Sequence, residues 1–268
     1  MKVARSTYYS ILNHKASNRE IENNILKSKI FKVYCDNRKV YGSIKITRIL
    51  RDNGYPKLSV NRVSRLMKQL GIRSITIRKF KNYRNKQNEH SELKNLVNQN
   101  FSAQKPNQIW LSDITYIHTV KNGWTYLASV LDVCTRKIVG YSYGRKMDRS
   151  LVISALTNSW QNQNYPNNVI LHSDRGSQYT SSEYIAAAER MGFRLSYSKK
   201  GCPFDNAPME SFHSVLKKEE VYLKHYSSFH EANIRLFDYI NGFYNRYRIH
   251  SAINFLSPIQ FENSLFYS

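Results

Sequence analysis

Three carboxylates stand where an ordinary fold would place apolar side chains. Asp113 interrupts the run Ile109-Trp110-Leu111-Ser112-Asp113-Ile114-Thr115-Tyr116-Ile117. Asp174 ends a second run, Val169-Ile170-Leu171-His172-Ser173-Asp174, and opens the turn Arg175-Gly176-Ser177-Gln178-Tyr179. Glu210 follows Asp174 after 35 intervening residues, at the start of a helical stretch. Carboxylates near strand ends are costly to bury unless something neutralises them. Two divalent cations would do so, and acidic side chains holding two metals recur where phosphodiesters are broken and joined. Such chemistry needs no nucleophilic Ser, Tyr or Cys. Asp132, at the end of a neighbouring run, and Asp205, five residues before Glu210, are rival carboxylates by pattern. His172 and His213 are expected nearby, as supporting or packing residues.

The elements that must position these groups can be read from the same sequence. After Lys105-Pro106 the pattern turns to strands: Ile109–Thr119, Trp124–Val133 after the Lys121-Asn122-Gly123 turn, and Lys137–Tyr143, rich in β-formers. A helix over Leu151–Trp160, a short apolar strand over Val169–His172, a helix over Ser182–Met191 and a fifth strand over Phe193–Tyr197 complete an α/β pattern. In such a sheet the first and fourth strands can lie side by side, joining Asp113 to Asp174. The loop Gly201–Met209 leads into a helix that Asp205 or Asn206 can cap, with Pro208 in its first turn. Phe212, Val215, Leu216 and Leu223 make its apolar face, and Glu210 and Lys217, about two turns apart, point together.

The first third has a different character. Residues 1–105 carry 24 Lys and Arg against 6 Asp and Glu, a balance of +18 out of a net +22 for the 268-residue chain. A polyanionic partner, DNA above all, is implied. Residues 18–72 read as three helices. Ile21, Ile25, Leu26, Ile30 and Val33 mark the first and Ile44, Ile46, Ile49 and Leu50 the second. Val60, Val63, Leu66, Met67 and Leu70 mark the third, with Ser59 as its cap. The last two resemble a helix-turn-helix, with Asn61, Arg62, Arg65 and Lys68 on the polar side of the second. In the polar stretch 73–105, Arg78, Lys79, Lys81, Arg84 and Lys86 alternate with Phe80 and Tyr83, a composition suited to tracking a DNA backbone. The expected organisation is therefore an extension over 1–17, a helical DNA-binding domain over 18–72, a basic linker over 73–105 and a catalytic core with C-terminal helices over 106–268. No run is long and apolar enough to span a bilayer, and no apolar signal-peptide core opens the chain. Three widely spaced cysteines without a CxxC pair suit a reducing cytoplasm.

Several ordered motifs resemble the DDE transposase and retroviral-integrase superfamily, and within it the second-frame transposases of the IS-three group of bacterial insertion sequences. Trp110–Ile117 is similar to the first acidic motif, His172–Tyr179 to the second, and Asn206-Ala207 through Glu210 with Lys217 to the third. Tyr239-Ile240-Asn241, Tyr244-Asn245, Arg248, His250-Ser251 and Ser257-Pro258 resemble the C-terminal signature, and Tyr41-Gly42 through Gly71 the small helical domain before the core. The resemblance covers roughly residues 40–262.

It implies an RNase H-like core, a mixed five-stranded sheet with helices on both faces. Asp113 would ligate both of two Mg²⁺ (or Mn²⁺) ions, with Asp174 and Glu210 each completing one site. Asn206 and Lys217 would contact DNA at the element end. Asp132 and Asp205 match positions not used as ligands. The implied activity is DNA cleavage and strand transfer by a homo-oligomer acting on the bacterial nucleoid. A first-frame partner would supply a further DNA-binding helix-turn-helix and a leucine zipper; this chain shows no heptad run at its start. An RNase H-like nuclease and a non-catalytic DNA-binding partner are the competing expectations.

Overall fold

A computed structural model describes residues 15–76, 94–199 and 203–266, together with Arg5, Ser6 and Tyr9. The chain forms two compact units, one ending at Ile75 and the other beginning at Thr76.

The first unit holds α1 (Asn18–Asp36), α2 (Ser43–Asp52) and α3 (Val60–Gln69). Ser17 and Glu20 make a reciprocal capping box at the start of α1, and Ser59 caps α3 through the Arg62 N–H. Leu26, Ile30, Tyr41, Ile46, Leu50, Val63 and Leu66 form a small core. The Tyr34 hydroxyl donates to the Arg73 carbonyl at 2.8 Å, tying the segment after α3 back to α1.

The second unit is a five-stranded sheet of order β3-β2-β1-β4-β5, with β1 (Ile109–Thr119), β2 (Gly123–Asp132), β3 (Ile138–Gly144), β4 (Ile170–Ser173) and β5 (Arg194–Tyr197). The first three strands pair antiparallel, whereas β1–β4 and β4–β5 are parallel. Helices α4 (Arg149–Asn162) and α5 (Ser182–Arg190) cover one face of the sheet. They bury Trp110, Val130, Leu171, Leu151, Leu156 and Tyr184 against it. Close approach there depends on Gly140: a Cβ at that position would lie 2.6 Å from Ser159 Cα in α4. On the other face, α6 (Ala207–Glu219) packs on β1 with Met209, Phe212 and Leu216 buried.

Helix α7 (Phe229–Phe237) runs into a π-helical turn over Asp238–Tyr244, and α8 (Pro258–Phe266) ends the described chain. The π turn contains the Asn241-Gly242 pair that interrupts the helical pattern in the sequence. It buries Tyr239, Ile240, Phe243 and Tyr244 together, which a regular helix would spread over a wider arc. Behind it, Arg248 makes a two-pronged pair with Glu219, both bonds 2.8 Å, and Glu219 also accepts from the Tyr239 hydroxyl at 2.8 Å.

Both edges of the sheet are occupied by groups from within the chain. Along β3, Asn245 both accepts from the Ile138 N–H and donates to its carbonyl at 3.0 Å. Asn162 donates to the Val139 carbonyl and Asn158 to the Tyr141 carbonyl. Along β5, the Lys94 carbonyl accepts from the Tyr197 N–H and the Leu96 N–H donates to the Ser196 hydroxyl.

Candidate active site

β1 and β4 run parallel with Ser112 opposite Ser173. Asp113 and Asp174 are the next residues on each, so the register alone brings them to one end of the sheet. β4 stops there and the chain turns. Asp174 Oδ1 accepts from the Gly176 N–H at 2.9 Å, and the Gly176 carbonyl accepts in turn from Tyr179 N at 2.9 Å. The buried Tyr179 anchors the turn, its hydroxyl 3.1 Å from Ser112 Oγ on β1. Gly176 is needed for space: a Cβ on it would stand 3.0 Å from both Asp174 Oδ1 and Gln178 Oε1.

The third carboxylate comes from α6. Glu210 lies in its first turn, and His213, one turn later, has Nδ1 3.4 Å from Asp113 Oδ2. The helix face bearing Glu210 and His213 therefore looks at the first acidic strand. Asp113 is half-buried, with Oδ1 accepting from the Ile114 N–H at 2.7 Å. Asp174 keeps surface contact with solvent. Its carboxyl is nonetheless held above the usual range, first by desolvation in its crowded turn, with the Asp113 charge adding and the Gly176 N–H opposing. A carboxylate whose ionisation is opposed by burial and by a neighbouring negative charge is a natural seat for positive charge. Among the described residues no three of His, Cys, Asp and Glu close on one point as a ready metal cage. The acidic groups share one end of the sheet without already converging.

The rivals have other employment. Asp132 is fully buried at the opposite end of β2, accepting from Thr135 N, Thr135 Oγ1 and Asn107 N at 2.7–2.9 Å. Burial pushes its pKa up and those bonds hold it back. Asp205, also buried, accepts from Asn95 and Gln99 side chains and the Lys199 N–H, clamping the segment before β1 to the loop before α6. His172 is buried with Nδ1 2.8 Å from Ser196 Oγ on β5, and burial lowers its pKa against the pull of Asp205. It pairs strands.

Matches to known families are in accord with this geometry. Residues 103–203 and 210–266 each match an integrase core domain, and residues 20–80 match an HTH-like domain. The transposase for insertion sequence element IS904 of Lactococcus lactis subsp. lactis (strain IL1403) is 38% identical over 252 residues, covering 94% of this chain and 98% of that protein. The chain belongs to the insertion-sequence transposases. Within that family, transposase InsF of insertion sequence IS3A from Escherichia coli (strain K12) is 37% identical over 265 residues, 98% of this chain and 91% of that one. Among solved structures, a chain of the simian T-cell lymphotropic virus intasome is alike in fold, with TM-score 0.50 and 15% identity over 87% of this chain and 74% of its own. The mixed five-stranded sheet is thus the RNase H-like integrase core, preceded by an all-helical HTH-like unit.

The other predicted residues of this transposase are distributed unevenly. Asn206 occupies the N-cap position of α6, but its side chain makes no cap bond and it is buried. Neither Asn206 nor Asp205 therefore caps the helix as the sequence suggests. Lys217 is half-buried in the last turn of α6. Arg62 is held within the first unit by Glu22, at 2.7 Å, and by Asn23, while Arg65 and Lys68 are exposed on α3. Lys79, Lys81 and Arg84 lie outside the described residues. The positions of Tyr179 and Gly176 as builders of the Asp174 turn were not singled out from the sequence, although the motif that contains them was.

Proposed function

We propose that this transposase catalyses metal-dependent cleavage of DNA at the ends of its insertion sequence and transfer of the freed strand to a target. The observation that carries the reading is the register of β1 on β4, which leads into Asp113 and Asp174 side by side, with α6, which carries Glu210 in its first turn, bringing His213 to 3.4 Å from Asp113. Asp113, Asp174 and Glu210 would hold two Mg²⁺ or Mn²⁺ ions. Hard carboxylate oxygens suit either ion, and a cation would relieve the cost that burial and the Asp113 charge place on ionising Asp174. Bound there, the ions supply an activated water or 3′-hydroxyl and stabilise the departing 3′-oxygen.

The chain's own work is placement. The Tyr179 anchor and the Gly176 N–H fix the Asp174 oxygens. His213 orients Asp113. Lys217 and Asn206 meet the DNA next to the reacting phosphate, and Arg65, Lys68 and the basic residues Lys79, Lys81 and Arg84 track its backbone, with Arg62 bracing α3. The domain division is the one read from the sequence, with a DNA-binding unit over 18–72, a basic linker over 73–105 and a core over 106–268. The active assembly is a homo-oligomer on cytoplasmic, nucleoid-borne DNA, joined by a first-frame partner for end recognition.

The test combines purified protein with short duplexes bearing the element termini and Mg²⁺ or Mn²⁺. Cut and joined products are expected from the wild type and none from Asp113→Asn, Asp174→Asn or Glu210→Gln. Hydrolysis of RNA–DNA hybrids without joining of duplex ends would replace this reading with that of a nuclease. DNA-linked function that survives Asp174→Asn would leave only a binding role.

A further inference from the structure

The β1–β2 hairpin runs on past the point where β4 ends, and one of its faces there is left uncovered by helices. Tyr116 and His118 on β1 lie opposite Tyr126 and Trp124 on β2. Tyr116 is 47% exposed and Trp124 60% exposed. Their rings meet edge to face rather than in a stack: Tyr116–Trp124 at 88°, His118–Trp124 at 76° and Tyr116–Tyr126 at 67°. No ring in the cluster is stacked flat on another, and Tyr116 and Trp124 present surface to a planar ligand while Tyr126 packs against the core.

The surroundings indicate which ligand. Between Asp113 and Asp132 there is no other acidic residue, and none lies in 137–147. Lys121 in the hairpin turn and Lys146, two residues past the Gly144 that pairs with Tyr126, are exposed. A second copy of the same face would bring like charge to like charge. The patch lies on the opposite face of β1 from Asp113, whose side chain meets His213 of α6. The turn that leaves Asp174 crosses to the loop after β3, where Gln178 donates to the Met147 carbonyl.

We propose that Tyr116, His118, Trp124 and Tyr126 form a stacking platform for unpaired nucleotides of the DNA on which the chain acts. The inference rests on the DNA-processing reading above. Bases splayed from a duplex end would lie on the rings while Lys121 and Lys146 meet their phosphates, an arrangement that every base can use and that is worth severalfold in affinity per stacked base.

The test is a fluorescence titration of the full chain with a short oligothymidylate, without divalent cation, so that failure to stack is separable from failure to cut DNA. Of the three tryptophans, Trp110 is fully buried and Trp160 packs on Tyr165, leaving Trp124 as the exposed reporter. Oligothymidylate should quench the wild-type emission strongly and leave that of Trp124→Phe nearly unchanged. In anisotropy measurements on the labelled oligonucleotide, Trp124→Phe should bind as the wild type does, and Trp124→Ala about tenfold more weakly. Because Trp124 is exposed, both variants should keep the wild-type melting curve. Equal affinity in Trp124→Ala and wild type overturns the proposal. So does a loss equal in size for a blunt duplex, or a change in sedimentation with unaltered oligonucleotide affinity, which would make the patch a contact between copies.

Discussion

As a metal ligand, the role proposed for it, Asp174 would also respond to pH. Its carboxyl is raised above the ordinary 3.8 by desolvation and by Asp113. The folded state therefore binds its proton more tightly than the unfolded chain does. Without metal, this group contributes stability at low pH that is lost as pH rises through the raised value. Metal must compete with that proton. Mn²⁺ affinity, followed by calorimetry, should fall as pH drops through a value above 3.8, and Asp174→Asn should bind the ion weakly without that inflection. Divalent cation should also raise the melting temperature of the wild type and not of Asp113→Asn or Asp174→Asn, since only a site that binds in the folded state shifts the equilibrium. Gly176→Ala presses a methyl group against the Asp174 oxygen. We expect strand joining to slow about tenfold with the melting curve little changed, as read from single-turnover assays on a pre-cut end.

Elements succeed or fail by contacts that sequence spacing shows only partly. The strands were legible because β-branched and aromatic residues run between clear turns, and Asp113 and Asp174 stand out because a carboxylate within or ending an apolar run has few structural uses. The roles of Asp132 and Asp205 were not legible. Asp132 draws one of its donors from 25 residues away, and Asp205 draws two of its donors from more than 100 residues away, so spacing alone leaves them as rivals to the proposed trio. The π turn was visible only as an odd Gly242, because the extra residue per turn is chosen by what Tyr239 and Tyr244 must bury. Two predictions belong here. Arg248→Met strands the buried Glu219 and should cost about 3–5 kcal/mol in urea unfolding. Lys at the same position should recover little, since it cannot reproduce the fork. Gly140→Ala forces β3 away from α4 and should cost about 3 kcal/mol.

For the molecule as a whole, charge is the clearest message of the composition. The excess of 18 positive charges before residue 106 predicts that DNA affinity falls steeply with salt. A plot of log affinity against log salt should slope by nearly one per phosphate neutralised, and Arg65→Ala or Lys68→Ala should each flatten it by about one unit. Arg62→Ala should flatten it less, because Glu22 already offsets its charge. The division into a helical unit and an α/β unit follows from the switch in apolar period near residue 106. The amide plugs on the sheet border do not, since nothing marks Asn158, Asn162 or Asn245 before the helices that carry them have docked.

Those three side chains have a bearing on assembly. By occupying the outward carbonyls of β3 and the Ile138 amide, they remove the template onto which a foreign strand could add itself. The segment at Lys94–Leu96 does the same on the far border. In the proposed homo-oligomer, copies would therefore join more readily through helices, loops or the nucleic acid itself than by extending the sheet at these bonded positions.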